Sequence, residues 1–540
     1  MKNRFINAAF LFTIAFTTST SLLFAQQSKK PNILFIAVDD LKPILGCYGD
    51  PLVKTPNIDR LASRATIFMS NYVQQAVCGP TRASLMTGKR PDYTQVWDLK
   101  TRMRDINPDI LSLPQYLKEN GYSTQGIGKV YDQRCVDKDF DKPSWSTPYY
   151  KVNNKYYGVY GEPAEGRYQL AETKVLAEKY IKEALASGKT KEEANDYVQT
   201  KIKPSVESAD VPDYAYTDGA NTLQAIDILK QLKNSTQPFF LAVGLSKPHL
   251  PFVAPKKYWD LYNREEMPLA AFQEKTKNAV GVAYHNAGEL RGYTDIPPLV
   301  SFTDQKDYGV TLPADKQKEL IHGYYAATSY MDANVGRLLR ALDSLGLDKN
   351  TIVVLWGDHG WHLGDHNLWC KHTNFEQATL APLIISAPGI APSKTKSLTE
   401  HIDIFPTLCE LAGVEIPKVL DGKSLVSVMK NPSLTIKEYS VSQYPRSSAT
   451  AENERLGYAD PNAMGYSIRT KQYRYTIWMG DGFRSNKPFD KKLVLGTELY
   501  DYKNDPLEKV NVANEKNYSA VAAEMNAKMM NFFKSQASKK

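Results

Sequence analysis

The chain has 540 residues, more than one compact domain usually holds, so we expect a large core with at least one appended subdomain. Hydrophobic residues make up 42% and charged residues 23%, which excludes a disordered or low-complexity chain. The formal net charge is +8, from 67 basic and 59 acidic residues, and it is spread along the chain. Nucleic-acid binders usually concentrate positive charge on one face or tail, so we expect no nucleic-acid partner, while a polyanionic substrate is at most suggested.

The first 25 residues have the pattern of a secretory signal peptide. Lys2 and Arg4 precede an apolar stretch from Ala8 to Phe16, and mostly small or apolar residues follow up to Ala25. The apolar stretch is too short to span a bilayer, and no later segment reaches about 18 uninterrupted apolar residues. We therefore expect a periplasmic or secreted protein without a membrane span. A buried N-terminal helix is the alternative interpretation.

Four apolar runs each end in polar residues that can take part in chemistry. They are residues 32–38 before Asp39-Asp40, 121–128 before Lys129, 239–245 before Ser246-Lys247-Pro248-His249, and 351–356 before Gly357-Asp358-His359. Continuous apolarity indicates strands that are buried on both faces, as in a parallel sheet flanked by helices. Open α/β sheets bind ligands at the carboxyl ends of their strands, so we expect the four polar ends to meet at one edge.

Helical patterns lie between these runs, as an α/β fold requires. Residues 218–233 and 331–345 repeat apolar side chains every three to four positions, and Gly346 predicts the end of the second helix. Residues 171–202 are rich in Lys, Glu and Ala, which predicts one or two solvated helices inserted over the core. We expect these helices to support the fold and not to take part in the chemistry.

The composition and the residue pattern of the sequence change after about residue 430. Short, alternating stretches rich in Tyr and Arg predict a small antiparallel sheet, closed by a helix near 515–534. We therefore predict a catalytic domain over residues 26–430 and a C-terminal subdomain over residues 431–540.

Asp39 and Asp40 are adjacent carboxylates at the end of a buried strand, where they repel each other unless a cation compensates. Asp358 supplies a third carboxylate from another strand, and oxygen ligands from several strand ends suit Ca²⁺ or Mg²⁺. Helix capping is the alternative for the Asp pair alone.

Three histidines, His359, His362 and His366, raise the possibility of a zinc site. Zinc motifs normally lie on a helix or in a Cys/His knuckle, whereas Gly360 and Gly364 indicate a loop, so zinc is the weaker interpretation.

Cys78-Gly-Pro-Thr-Arg82, followed by Thr87-Gly88, is the most specific motif. Pro80 favours a helix start, so Cys78 would lie at a helix N-terminus, where backbone donors favour an anion. A cysteine at a helix start is by itself more often a structural thiol. The cysteines are odd in number, so at least one thiol lies outside any intramolecular disulfide; they are Cys47, Cys78, Cys135, Cys370 and Cys409.

Cys78-x-Pro80-x-Arg82 with the downstream Thr-Gly resembles the signature of the type I sulfatases, in which the cysteine is oxidised to formylglycine (3-oxoalanine). The resemblance covers essentially the whole mature chain, and Leu45-Gly-Cys-Tyr-Gly49 and residues 464–470 are similar to the iduronate-2-sulfatase branch. It implies an alkaline-phosphatase-like α/β core, with a mixed, mostly parallel sheet flanked by helices, and a smaller C-terminal antiparallel sheet subdomain. The other motifs occur in the family's order: Asp39-Asp40, Gly128-Lys129, Lys247-Pro248-His249, Asp358-His359 and Lys371.

The resemblance implies a mechanism. Cys78 would become formylglycine, whose hydrate attacks the sulfur of a sulfate ester with one hydroxyl and ejects sulfate with the other. One Ca²⁺ ion would be held by residue 78 together with Asp39, Asp40, Asp358 and His359, and would stabilise the developing charge.

Further roles follow from the same resemblance. Arg82 and Lys129 would neutralise the hydrate and the sulfate. His249 and Lys371 would hold the sulfate and protonate the leaving alcohol. Two residues are expected as walls of the sugar pocket, namely Trp361 and Arg446.

One motif departs from the iduronate branch. That branch has Gly-Lys-Val-Phe-His where this chain has Gly128-Lys-Val-Tyr-Asp132, so Asp132 replaces a histidine expected to contact the formylglycine. The departure weakens transfer of the mammalian substrate to this chain.

We expect an exported sulfatase, matured by a formylglycine-generating enzyme, that removes sulfate from a sulfated polysaccharide. The expected target is a 2-O-sulfated terminal uronate or xylose of a glycosaminoglycan or an algal polysaccharide such as ulvan. The alternatives are a phosphomonoester or phosphonate hydrolase of the same superfamily and a non-catalytic carbohydrate-binding pseudoenzyme. The sequence does not predict an oligomeric state.

Overall fold

A computed structural model describes residues 30–285, 287–297, 312–446 and 463–538. The predicted signal peptide, residues 1–25, lies outside the described residues. The strands of the described residues are β1 (Asn32–Val38), β2 (Thr66–Phe68), β3 (Asn71–Tyr72), β4 (Ser123–Gly128), β5 (Val206–Glu207), β6 (Phe239–Leu245), β7 (Phe252–Val253), β8 (Thr351–Gly357), β9 (His362–Leu363), β10 (Trp369–Cys370), β11 (Leu383–Ser386), β12 (Ser393–Thr395), β13 (Thr399–Glu400), β14 (Ser440–Arg446), β15 (Ala463–Arg469), β16 (Tyr473–Met479) and β17 (Val494–Asp501).

The α-helices in the same part of the chain range from single turns to one of 32 residues. They are α1 (Pro56–Ala62), α2 (Cys78–Thr87), α3 (Pro91–Thr94), α4 (Met103–Ile106), α5 (Leu113–Glu119), α6 (Ala171–Ala186), α7 (Lys191–Lys201), α8 (Thr217–Leu232), α9 (Lys256–Trp259), α10 (Gly288–Arg291), α11 (Ala314–Leu345), α12 (Glu376–Thr379), α13 (Ile404–Leu411), α14 (Val426–Lys430) and α15 (Ser519–Ala537).

A seven-stranded sheet lies at the centre of the larger part of the molecule, in the order β12-β2-β11-β8-β1-β6-β4. β11 runs antiparallel to both of its neighbours, and all other pairs are parallel. β1 has a parallel strand on each side and every one of its residues is buried, which explains its unbroken apolar run. The prediction of a mixed, mostly parallel sheet is confirmed. β4 begins at Ser123, two residues later than the sequence indicated.

Helices cover both faces of this sheet, because alternate residues of each strand point to opposite sides. In β1, Ile33 and Phe35 join one core and Leu34 and Ile36 the other. The first core contains residues of α2, α5 and α13, and the second contains residues of α1, α8 and α11. The sheet edge that carries the ends of β1, β4, β6 and β8 therefore sits on a rigid, two-sided core.

The C-terminal part forms the predicted antiparallel sheet, in the order β14-β15-β16-β17. Helix α15 packs on it through Met525, Met529, Phe532 and Phe533. The closing helix starts at Ser519 and ends at Ala537, a few residues later than the sequence indicated. The domain boundary at residue 430 remains a prediction.

The prediction of one or two solvated helices over residues 171–202 is confirmed, with two helices, α6 and α7, which expose most of their side chains. Among the described helices, none combines the length and the apolar character needed to cross a lipid bilayer.

Candidate active site

The four predicted strand ends meet at one edge of the central sheet. β8, β1, β6 and β4 are consecutive parallel neighbours, so their carboxyl ends point the same way. The edge opens into a cavity of about 850 Å³, the size of a small-molecule site. The predicted residues that line it are Asp39, Cys78, Lys129, His249, Lys371 and Arg446.

Cys78 is the first residue of α2 and is 1% exposed. Its Sγ lies 3.5 Å from His359 Nε2 and 3.8 Å from Lys129 Nζ. Burial raises the pKa of the Cys78 thiol well above its usual range, and Asp39 adds to the effect. The side chain therefore stays a neutral thiol in this setting and is not an activated thiolate of the kind that cysteine hydrolases use.

Arg82, one turn along α2, is fully buried and ties two strand ends together. It donates to Asp39 Oδ1 at 2.9 Å and to Asp358 Oδ2 at 3.0 Å. It also donates to the carbonyls of Lys129 and Val130. The guanidinium lies 5.4 Å from the centroid of the Trp356 ring, so it is enclosed by carboxylates, carbonyls and an aromatic face.

Three carboxylates and an imidazole converge beside Cys78, all fully buried. The backbone N–H of Asp40 donates to Asp358 Oδ1 at 2.9 Å, and His359 Nε2 lies 3.4 Å from Asp40 Oδ1. Asp40 has a φ of 55°, and Tyr324 Oη donates to its carbonyl at 2.6 Å, so a left-handed backbone turns this carboxylate into the cluster.

The electrostatics of the cluster suit a divalent cation. Burial, with Asp39 next to it, raises the pKa of Asp40 to about 7 despite the nearby Lys371. Burial also opposes ionisation of Asp39, but the surrounding cations, Lys129 foremost, hold the pKa of Asp39 well below its usual range. The ligand atoms fall into two overlapping groups within 4.8 Å, Asp39, Asp40, Cys78 and His249, and Cys78, Asp358 and His359. Buried oxygen donors of this kind fit a hard ion such as Ca²⁺.

Lys129, His249 and Lys371 surround the opening of this cluster. Lys129 Nζ donates to Asp39 Oδ2 at 2.5 Å, and Lys371 Nζ donates to both oxygens of Asp40 at 3.1 Å. His249 Nδ1 lies 2.5 Å from the Leu250 carbonyl, which can only accept, so Nδ1 carries a proton and Nε2 faces the cavity. The structure thus brings together the predicted metal ligands and the predicted sulfate-binding residues.

Sequence reasoning missed Glu289, in the single turn of α10. Its carboxylate lies 3.1 Å from His249 Nε2 and 2.8 Å from Lys371 Nζ. Burial opposes its ionisation, but Lys371 and His249 outweigh burial and hold the pKa of Glu289 well below its usual range. An acid in a four-residue helix carries no periodic signal, so only the three-dimensional contacts reveal it.

Trp361 does not line the cavity. It is 1% exposed and packs behind Lys371, whose Nζ lies 4.8 Å from the centroid of its ring. Arg446 does line the cavity, but its guanidinium donates to the main-chain carbonyls of Val282, Ala283 and His372. Trp361 therefore supports a cavity residue from behind, and Arg446 holds together the loops of the wall.

The histidines of the zinc interpretation separate in the structure. His359 faces Cys78, whereas His362 Nε2 pairs with Thr373 Oγ1 at 2.9 Å and His366 Nδ1 with Thr276 Oγ1 at 3.2 Å. Burial lowers the pKa of His362 to about 3 and that of His366 to about 4, so both rings are neutral core side chains.

Asp132, the departure from the iduronate branch, lies in the wall of the cavity and is 3% exposed. Its two carboxylate oxygens accept from Arg134 Nε at 2.9 Å and Arg134 Nη2 at 2.7 Å. The position expected to hold a histidine thus holds a bidentate ion pair. Arg134 follows no motif of the resemblance, and sequence reasoning missed it.

The cysteines are all free and buried, as an odd count required of at least one of them. Cys78 is the one of the five that lines the cavity. Its position at the start of α2 confirms the helix boundary that Pro80 predicted.

Comparison with known proteins agrees with this geometry. The sulfatase family model matches residues 31–414, and a model of the C-terminal region of N-sulphoglucosamine sulphohydrolase matches residues 364–535. Iduronate 2-sulfatase from Homo sapiens is 35% identical over 537 residues, covering 90% of this chain and 91% of that protein.

Two solved structures share the fold. One is the protein BT4656 in complex with its substrate D-glucosamine-2-N,6-O-disulfate. Its TM-score is 0.66, and the two sequences are 21% identical over 95% of this chain and 100% of the other. The other is the phosphonate monoester hydrolase of Agrobacterium radiobacter, with a TM-score of 0.65 and 23% identity over 94% and 96% of the two chains. At these identities the two structures show the fold alone, which is the alkaline-phosphatase-like sulfatase core. The family match over most of the chain and the human relative carry the assignment: the chain belongs to the sulfatase family, as a type I sulfatase near the iduronate-2-sulfatase branch, and is a sulfuric ester hydrolase.

Proposed function

We propose that this protein is an exported sulfatase that removes the 2-O-sulfate of a terminal uronate or xylose during breakdown of a sulfated polysaccharide. The observation that carries the proposal is the setting of Cys78, which lines the cavity beside Lys129 and His359 at the junction of the four strand ends. The name of the human relative, iduronate 2-sulfatase, supports a sugar sulfate as substrate. The basic, apolar and small-residue pattern of residues 1–25 supports export.

The proposed chemistry requires two groups that maturation and metal binding would add. Formylglycine at position 78, made by a formylglycine-generating enzyme, supplies the nucleophilic hydroxyl in its hydrated form. Asp39, Asp40, Asp358 and His359 are the residues that would hold Ca²⁺, whose charge stabilises oxygens of the sulfate ester. The buried carboxylates and the raised pKa of Asp40 support this ligand set, because a cation relieves their mutual repulsion.

The protein's own residues fix the reacting groups. Arg82 holds Asp39 and Asp358 in place, and α2 presents residue 78 to the cavity. Lys129 Nζ lies 3.8 Å from the Cys78 sulfur and so places a fixed positive charge beside the position that the nucleophilic oxygen would occupy. Burial keeps these charges in a low-dielectric setting, where they act strongly on a developing negative charge.

His249 and Lys371 are the proposed groups on the leaving-group side. With Nδ1–H directed at the Leu250 carbonyl, His249 presents Nε2 to the cavity beside Glu289, and in the doubly protonated form of the ring this nitrogen would give its proton to the departing sugar oxygen. Lys371 is held by Trp361 from behind, and its ammonium is directed at the cluster, where it would bind a sulfate oxygen.

The test uses the full chain co-expressed with a formylglycine-generating enzyme. The purified protein is incubated with a panel of defined sulfated oligosaccharides, and free sulfate is measured by ion chromatography. We expect release from 2-O-sulfated uronate or xylose ends and none from the Cys78→Ala variant. Lys182→Gln, on the exposed face of α6, is the matched control and should release sulfate at the wild-type rate.

Two outcomes would redirect the proposal. Faster hydrolysis of phosphate or phosphonate monoesters than of sulfate esters would favour the phosphonate hydrolase alternative. An unmodified Cys78 thiol from a host that has the maturation machinery, shown by mass spectrometry, would favour the carbohydrate-binding pseudoenzyme.

A further inference from the structure

The cavity holds a second group of cations that the sulfatase chemistry leaves unused. We propose that Arg167 and Lys203 form a second anion-binding subsite, which takes a carboxylate or sulfate that the substrate carries in addition to the ester being hydrolysed. The inference rests on the proposed function, since it assigns a recognition element to the same cavity.

The strongest observation is the lack of a counterion. In the described part of the chain, five of the lysines and arginines that line the cavity bind a carboxylate or main-chain carbonyls: Lys129, Arg134, Lys247, Lys371 and Arg446. Arg167 and Lys203 line the same cavity and form neither an ion pair nor a side-chain hydrogen bond within the described ranges. Lys203 Nζ instead lies 4.8 Å from the centroid of the Tyr293 ring. Two cations are therefore left for a ligand.

Hydrogen bonds hold the backbone around both Arg167 and Lys203 in place. Arg167 lies in a tight turn closed by hydrogen bonds between Ala164 and Tyr168, of 2.8 and 3.0 Å. The Tyr168 hydroxyl donates to the carbonyl of Pro204 at 2.9 Å, which links this turn to the residue after Lys203. The two cations are thus held on neighbouring, directly bonded segments.

A second pair of hydrogen bonds fixes the backbone of Lys203 to Thr294. Its backbone N–H donates to Thr294 Oγ1 at 3.0 Å, and its carbonyl accepts from the Thr294 N–H at 2.9 Å. Tyr293, next to Thr294 in the chain, is 5% exposed and also lines the cavity. An anion that entered here would meet preorganised donors, which lowers the entropic cost of binding.

The charges of the two side chains act on each other. Burial lowers the pKa of Lys203 and Arg167 lowers it further, whereas Glu289 acts in the opposite direction without forming an ion pair with Lys203 in the described residues. Glu165 lies on the same wall, but it accepts from Gln199 at 3.3 Å and forms no ion pair with Arg167 in the described residues. An anionic group bound between the two cations would relieve their repulsion, so binding of an additional negative charge is favoured here.

The test compares three substrates that differ only in charge away from the reacting ester. They are a 2-O-sulfated disaccharide with a terminal uronate, the same disaccharide with its carboxyl group reduced to an alcohol, and the reduced disaccharide with a second sulfate. Nitrophenyl sulfate, which has no second anion, is the reference. The variants are Arg167→Gln and Lys203→Gln, with Lys182→Gln as the matched surface control.

We expect each cavity variant to lower kcat/KM for the substrates with a second anion by roughly tenfold or more relative to nitrophenyl sulfate. A loss confined to the uronate substrate identifies a carboxylate as the ligand, and a loss confined to the disulfated one identifies a sulfate. Equal losses on all substrates, or no loss on any, would overturn the subsite.

A binding measurement separates this inference from the proposed function. Isothermal titration calorimetry with the uronate-terminated and disulfated disaccharides gives Kd for the wild type and the two variants without requiring turnover. If the wild type released sulfate from no ester at all, the proposed function would fail. The subsite would still be supported if the variants bound the ligands roughly tenfold more weakly than the wild type. It would be overturned if their Kd values for both ligands equalled those of the wild type.

Discussion

Arg82 donates to Asp39 across 2.9 Å, and the two side chains are 0% and 1% exposed. The residues are 43 positions apart, one in α2 and one directly after β1. Because Arg82 also binds Asp358, its guanidinium offsets negative charge from two neighbouring strand ends. The helix that starts at Cys78 is thereby held to the carboxylate cluster through the Arg82 side chain.

Replacing Arg82 by Gln should both destabilise and inactivate the protein. The substitution removes the guanidinium from two buried carboxylates, of which Asp39 keeps only Lys129, and this costs about 3–5 kcal/mol of unfolding free energy. Chemical denaturation monitored by tryptophan fluorescence measures the loss. Arg264→Gln, which breaks the exposed pair with Glu319, is the matched control and should cost less than about 1 kcal/mol. A loss for Arg82→Gln as small as the control's would contradict the locking role.

Calcium should stabilise the protein more at about pH 8 than at about pH 5. In the absence of metal, burial raises the pKa of Asp40 from 3.8 to about 7, so the folded state keeps a proton that the unfolded state has released in this window. Stability of the metal-free protein therefore falls as the pH rises from about 4 to about 7, and Ca²⁺ must displace that proton at the acidic end.

Differential scanning calorimetry with Ca²⁺ and with a chelator, at both pH values, tests this expectation. The Asp40→Asn variant should lose most of the pH dependence of the calcium effect, because it has no carboxylate to titrate. A calcium-induced rise in Tm that is the same at both pH values in the wild type would count against Asp40 as a ligand.

The residues of the site that could be predicted from the sequence are those for which the local residue pattern and the sheet topology point to the same place. Asp39, Lys129 and Asp358 each follow a buried strand, and the parallel order of those strands brings them to one edge. Cys78 could be placed because Pro80 marks the start of a helix. Patterns of this kind depend only on the residues next to the functional one.

The residues that could not be predicted depend on distant contacts. Glu289 lies in a single helical turn, and its role comes from His249 and Lys371, which are far away in the chain. Trp361 comes two residues after His359 in the chain, yet its side chain packs inward behind Lys371 and does not line the cavity. Which way a loop side chain points is decided by packing, and the sequence pattern does not encode it.

Replacing Glu289 by Gln should strengthen inhibition by inorganic sulfate. The Glu289 carboxylate contacts His249 and Lys371, the two groups proposed to hold sulfate, so it competes with an incoming anion for their charge. Loss of this charge should lower the inhibition constant for sulfate roughly tenfold, equivalent to about 1.4 kcal/mol. Steady-state kinetics with added sulfate measures it, and Glu274→Gln at an exposed position serves as control. Unchanged or weaker inhibition would show that Glu289 orients these cations instead of competing for them.

The Asp132–Arg134 pair should contribute stability that disappears in acid. Burial opposes ionisation of Asp132, but hydrogen bonds from Arg134 outweigh it and lower the pKa of Asp132 from 3.8 to about 2. A depressed carboxylate pKa stabilises the folded state above the unfolded-state value, so the contribution is complete above about pH 4 and is lost as the pH falls towards about 2. Because the Arg134 side chain is 48% exposed, the contribution is about 1–2 kcal/mol, below what full burial would give.

Urea unfolding of the wild type and of Asp132→Asn at a series of pH values measures this contribution. The difference in unfolding free energy between the two proteins should be constant near neutrality and shrink as the pH falls below about 4. Asp260→Asn removes an exposed partner of Lys256 and should show only a small difference at any pH. A difference for Asp132→Asn that persists unchanged at low pH would mean that packing, and not the ion pair with Arg134, is what Asp132 supplies to the cavity wall.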